Sequence, residues 1–228
     1  MAEQRPTTRV GRTVRANGLS IVLSLLFVGF LVGQSVAGQK EFNEEGRLHG
    51  EPPLTYTEYL TSGDFAESVF ENWESEFLQM GAYLLLTVYL VQKGSAESKP
   101  VDGDEDVERD PQQSSNPDAP WPVRRGGWIL KLYQNSLSLA FGILFVASFA
   151  LHAWGGARAT CDDDRTHRQP DCPSTVEYVQ TSKFWSESLE NWQSEFLAVA
   201  SIVVLSVYLR QQGSPESKPV NTPHHEHG

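Results

Sequence analysis

The chain has 228 residues, with 18 Lys and Arg against 29 Asp and Glu, for a formal net charge of -11. That length suits one domain or two small ones, and the acidity excludes a nucleic-acid role, which needs clustered Lys and Arg. The mean hydropathy of -0.35 suits a water-soluble chain, but the average hides four blocks without a charged side chain, at 19–37, 77–91, 137–151 and 196–209.

A basic leader with Arg5, Arg9, Arg12 and Arg15 precedes the first apolar block. Nineteen uncharged and mostly apolar residues match the roughly 20 that a spanning helix needs, which predicts a crossing over about 19–37. Ser35-Val36-Ala37 also fits a cleavable secretory signal. The apolar core exceeds the roughly 7–15 residues usual for a signal, and the pattern recurs at 137–151, where no leader can stand. The segment is therefore read as a retained span.

The following loop is acid-rich, with Glu41, Glu44, Glu45, Glu51 and Glu58. Next, Phe65, Val69, Trp73 and Phe77 recur every four residues, predicting an amphipathic helix with Ser62 or Asp64 as its cap. Its acidic face, Glu67, Glu71 and Glu74, is read as solvated. The helix leads into the second span, at about 76–92. Trp73 and Tyr89 bracket that block 16 residues apart, about 24 Å along a helix, as an aromatic belt requires.

The acidic stretch 102–118, rich in Pro, Ser and Gln, reads as a disordered linker, and the division between halves is drawn at 102–120. The stretch 122–133 carries Arg124, Arg125 and Lys131 among Trp128, Ile129, Leu132 and Tyr133. It suits a short interfacial helix or a plain extended lead-in. The third span is predicted at about 135–154, and the fourth at about 195–210, bracketed by Trp192 and Tyr208. A flexible His-rich tail, 221–228, closes the chain; its His224, His225 and His227 could chelate metal, but a mobile terminus is the plainer reading.

The two halves repeat. Residues 58–101 align without a gap onto 177–220, and 17–20 pair with 135–138. Each copy holds two crossings, so the expected fold is all-α: an integral membrane four-helix bundle of two tandem parallel repeats, 1–101 and 121–220, related by a pseudo-twofold axis along the membrane normal. Lys and Arg gather before the first span, between the second and third, and after the fourth, which puts both termini in the cytoplasm.

The doubled strings NWESEFL and NWQSEFL, followed by GSAESKP and GSPESKP, resemble an uncharacterised bacterial multi-pass membrane-protein family, a domain of unknown function. The resemblance covers about 14–220. It implies a bacterial inner-membrane location and carries no activity.

Three groups of residues could hold chemistry. Cys161 and Cys172 share one loop and are read as a structural disulfide, which an oxidising compartment would permit. Two loops repeat a pair of acids, an arginine and a histidine at one spacing, ending in His49 and His167. These are weak metal candidates: the spacing matches no ligand motif and an arginine sits among the acids, so a salt-bridged loop is the favoured reading. Finally, Gln34, Asn72, Glu76, His152, Asn191 and Glu195 fall at one predicted depth near the outer mouth of the bundle. They could relay protons or bind a cation, or they could simply be solvated at the interface. No Gly-rich phosphate loop, HExxH, nucleophile elbow or CxxC occurs, and no cofactor is implied. The expectation is a non-enzymatic structural or interaction module whose evident partner is the lipid bilayer. The alternative is a small proton or cation transporter.

Overall fold

The computed structural model describes residues 9–103, 105–113, 116–166 and 172–226. Among the described residues there are nine α-helices and no strand. The chain divides into two units, 1–65 and 66–228.

The first unit holds α1 (Arg9–Ala16), α2 (Gly18–His49), α3 (Tyr56–Leu60) and the start of α4 (Gly63–Tyr89). Helix α2 does not stop where its apolar block ends. It continues to His49, where Gly50 takes the left-handed conformation, φ 81°, and donates its N–H to carbonyls of the last turn. Glycine adopts that backbone without a Cβ penalty. The returning chain is strapped to α2 by Asn43, whose Oδ1 accepts from the Leu54 N–H at 2.7 Å while its Nδ2 donates to the Leu54 carbonyl at 3.0 Å. Tyr59, buried between Phe42 and Phe65, crosses α2 at Gly38, where a Cβ would strike its hydroxyl.

Helix α3 opens on a capping box formed by Thr55 and Glu58, and Ser62 Oγ accepts from the Phe65 N–H at 3.2 Å to cap α4. Both devices satisfy backbone donors that a helix start leaves open.

The second unit contains most of α4, then α5 (Trp121–Arg125), α6 (Gly127–Gln134), α7 (Ser136–Thr166), α8 (Thr175–Val179) and α9 (Ser182–Tyr208). The stretch expected as a short interfacial helix or an extended lead-in is two helices, broken where Gly126 and Gly127 take positive φ. Part of the acidic linker forms single 3-10 turns, Asp106–Glu108 and Pro111–Gln113. The core is small: Ala153, Ala157, Tyr178 and Phe184, with Phe149 and Val179 against it. It exists because α7 presents Gly155 and Gly156 side by side. A Cβ on the first would meet the backbone at Ala66 and Glu67, and one on the second would meet the Tyr178 ring. Helix α8 opens on a capping box of Ser174 and Glu177, 119 residues after Thr55 and Glu58. Cys161 and Cys172 form a disulfide.

The doubled GSxESKP string terminates helices. After α4, Gly94 turns at φ 82°, Ser98 Oγ accepts from the Gln92 N–H, and Lys99 Nζ donates to the Val88 carbonyl at 2.9 Å. After α9, Gly213 turns at φ 85°, Ser217 Oγ accepts from the Gln211 N–H, and Lys218 Nζ donates to the Glu226 carbonyl at 2.8 Å. Lys99, on a carbonyl of the last turn of α4, also suits the negative end of the helix dipole, whereas Lys218 gathers carbonyls of the tail.

Two helical stretches are long and apolar enough to cross a membrane, Gly18–His49 and Ser136–Asp163, with mean hydropathies of 2.2 and 1.9 over their best windows. The two other expected spans do not reach that standard among the described residues. Helices α4 and α9 end at Tyr89 and Tyr208, and their N-terminal halves carry the acids of the doubled motif. The helical apolar stretch, 77–89 in α4, is about 20 Å long, short of the roughly 30 Å hydrocarbon core.

Candidate functional site

The acidic face of α4, expected in water, faces protein instead. Glu74 is 0% exposed and so is His152 of α7. An acidic stripe at positions 67, 71 and 74 lies along one side of a helix, and here that side meets α7, α8 and α9 within the second unit. Burying such groups is costly unless they are paired, and each has a partner on a facing helix.

His152 is the centre. Its Nδ1 lies 3.1 Å from Glu74 Oε2, and its Nε2 lies 3.6 Å from Glu187 Oε2 on α9. The Phe184 ring stacks on the imidazole, with centroids 4.7 Å apart. Ser188 Oγ donates to Glu74 Oε1 at 2.8 Å, holding the carboxylate from its far side. Around this pair stands a second ring. The Tyr178 hydroxyl is 2.5 Å from Glu67 Oε1 and 3.0 Å from Glu187 Oε2. Lys183 Nζ is 2.9 Å from Glu67 Oε1 and 3.6 Å from Glu187 Oε1. Asn191 Nδ2 donates to Glu71 Oε1.

Outside the apolar blocks, two groups show how strongly the acids act. Burial pushes the Tyr178 hydroxyl up, and the hydrogen bond and charge of Glu67, with the charge of Glu187, push it further the same way. Burial alone would lower the Lys183 ammonium, but its contacts with Glu67 and Glu187 outweigh that and hold it above its usual value.

Of the six residues expected at one depth, His152 and Asn191 belong to this cluster. Asn72 and Glu76 are exposed, and Asn72 Nδ2 donates to the Ser68 carbonyl of its own helix. Glu195 is half-buried and feels the charge of Glu76. Gln34 lies on α2 in the first unit. His49 ends α2 with Nδ1 3.1 Å from the Glu45 carbonyl, and His167 lies outside the described residues. Among the described residues, the acids and histidine that converge closely enough to hold an ion are Glu67, His152 and Glu187. Sequence reasoning read Glu67 and Glu74 as a solvated face and passed over Tyr178, Lys183, Glu187 and Ser188. The usable signal was a histidine placed directly after an uncharged run.

A family model described as Domain of unknown function (DUF6766) matches residues 10–228. No curated protein matches the chain, and no solved structure matches it.

Proposed function

This chain belongs to the DUF6766 family, and on that footing we propose that it is a multi-pass membrane protein acting as a structural or interaction module without catalytic chemistry of its own. The observation that carries the reading is apolar exposure. In the best apolar windows of α2 and α7, 6% and 17% of residues are buried. Leu19, Phe30 and Ile143 are 76%, 73% and 69% exposed. Apolar faces this continuous are not left in water by soluble monomers, and lipid is the medium that removes the cost. Leu85, Leu86 and Val88 on α4, and Leu197, Val204 and Leu205 on α9, are likewise exposed. These faces support two further crossings, giving tandem repeats of a two-helix unit. The basic residues at 5–15, 93–99, 124–131 and 210–218 support cytoplasmic termini in a bacterial inner membrane.

Membrane fractions washed with alkaline carbonate should retain the full chain. Reporters fused after Val101 and after Val220 should both read as cytoplasmic. Release of folded monomer without detergent refutes membrane integration, and an extracytoplasmic signal after Val101 refutes the sidedness.

A second reading, a small proton or cation transporter, is favoured by the buried His152 between carboxylates, since ionisable groups inside helical membrane proteins commonly serve ion pathways. Purified chain in liposomes decides between the two. Proton or cation flux above protein-free vesicles, abolished by His152→Ala, supports the transporter; absence of flux supports the module.

A further inference from the structure

We propose that Glu67, His152 and Glu187 form a binding site for a divalent first-row transition-metal ion, such as Zn2+ or Mn2+. One ligand atom from each of these residues lies within 4.8 Å of the other two. Nitrogen and carboxylate ligands stand about 2.0–2.2 Å from zinc, hence roughly 3–4 Å from one another, so small side-chain shifts close the set around an ion. One imidazole with two carboxylates suits these ions rather than Ca2+, which takes oxygen alone.

Three features go beyond a cluster of acids. First, the imidazole is fully buried, and its two nitrogens face the Glu74 and Glu187 carboxylates at 3.1 and 3.6 Å without hydrogen-bond geometry to either. Nδ1 has Glu74 Oε2 beside it at 3.1 Å, placed to take an Nδ1 proton after a slight turn of the ring. The neutral Nε2 lone pair is then directed toward Glu187. This is the carboxylate–histidine–metal relay in which the outer acid fixes the tautomer of the ligand. Second, the ring is prepositioned, because Phe184 stacks on it and Ser188 anchors the Glu74 carboxylate. Third, the proton count is short. The Tyr178 hydroxyl has one proton but faces carboxylate oxygens of both Glu67 and Glu187 at hydrogen-bond distance. One of those acceptors therefore lacks a donor from Tyr178, and a metal ion between the carboxylates would supply the missing positive charge. Lys183 Nζ, 2.9 Å from Glu67 Oε1, stands in for that charge here. Its side chain is 51% exposed and its stem is flexible, so it can withdraw when a divalent ion enters.

The test uses the full chain in detergent, titrated with Zn2+ alone and with Mn2+ alone, with bound metal read per chain and the unfolding temperature followed. The histidines of the tail offer the probe ions other ligands, so His224, His225 and His227 are replaced by alanine in the reference protein. That protein should bind one ion per chain with a raised Tm. His152→Asn and Glu187→Gln should each weaken binding at least tenfold. Lys183→Gln should tighten it, because the competing ammonium is gone. Should the His152 variant not fold, Lys183→Gln and Glu67→Gln decide the matter by opposite shifts in affinity. Failure of both the reference protein and Lys183→Gln to bind a stoichiometric ion overturns the proposal. So does binding that persists undiminished in Glu67→Gln and Glu187→Gln.

Discussion

His152 and Glu74 are both fully buried, sit on α7 and α4, and bring Nδ1 and Oε2 to 3.1 Å. Removing one member of a buried pair strands the other, which costs about 3–5 kcal/mol. Glu74→Ala should therefore lower stability strongly, while Glu74→Gln, which keeps an acceptor for Ser188, should lose less. Thermal unfolding of the detergent-purified chain checks the order. Equal losses for the two variants would mean that the charge, rather than the acceptor for Ser188, is what matters.

Gly156 offers a cleaner contrast. A Cβ there meets the ring of the buried Tyr178, whereas at Gly142 on the same helix it meets open space. Gly156→Ala should destabilise by about 1–3 kcal/mol through overpacking. Gly142→Ala should be neutral or stabilise by about 0.5–1 kcal/mol, since glycine disfavours helix interiors. Comparison of the two melting temperatures decides it, and a shift of the same sign in both would count against the packing described.

The two capping boxes should respond to acid. A side-chain hydrogen bond from Thr55, then its backbone N–H, holds the Glu58 carboxyl below its usual 4.5. For Glu177 the backbone N–H of Ser174 comes first and the hydroxyl second. A depressed carboxyl contributes stability that is present above its ordinary value and is lost as pH falls through the folded one. Protection of the Thr55 and Ser174 amides against hydrogen exchange, corrected for intrinsic rates, should fall below about pH 4. In Glu58→Gln and Glu177→Gln that pH dependence should vanish.

Charge on the exposed apolar face of α7 separates two solvents. Ile143 is highly exposed, so in water Ile143→Arg would be nearly neutral. In a bilayer an arginine at mid-helix costs about 2.5–3.5 kcal/mol of insertion free energy. The variant should accumulate poorly in membranes and be degraded faster, measured by pulse-chase and fractionation. Wild-type levels would argue against lipid contact at that position.

The helical class was legible from the apolar blocks and the doubled strings, and Ser62 was readable as a cap because it precedes the first apolar stripe. The capping boxes carry T-x-x-E and S-x-x-E spacings that the sequence reading left unused, because it counted Glu58 with the acidic loop. The acidic cluster was not. Glu67, Glu71 and Glu74 follow the same helical period as a solvated face, and periodicity alone does not say whether water or protein lies opposite. What reverses the reading is Gly155, which lets α4 approach α7 closely, and no local pattern in α4 reports that. The aromatic brackets of the second and fourth blocks, Trp73 with Tyr89 and Trp192 with Tyr208, fall inside α4 and α9, which end on the two tyrosines.

The loop that follows each long helix is secured by a different chemistry. Asn43 ties down Leu54 with two exchangeable contacts, whereas Cys161 and Cys172 are joined covalently. The first fastening completes as soon as the backbone arrives, but the second waits for an electron acceptor, over seconds to hours depending on the oxidant supplied. The loop after α2 is thus fastened without any redox partner, whereas the loop after α7 closes only where an oxidant is present.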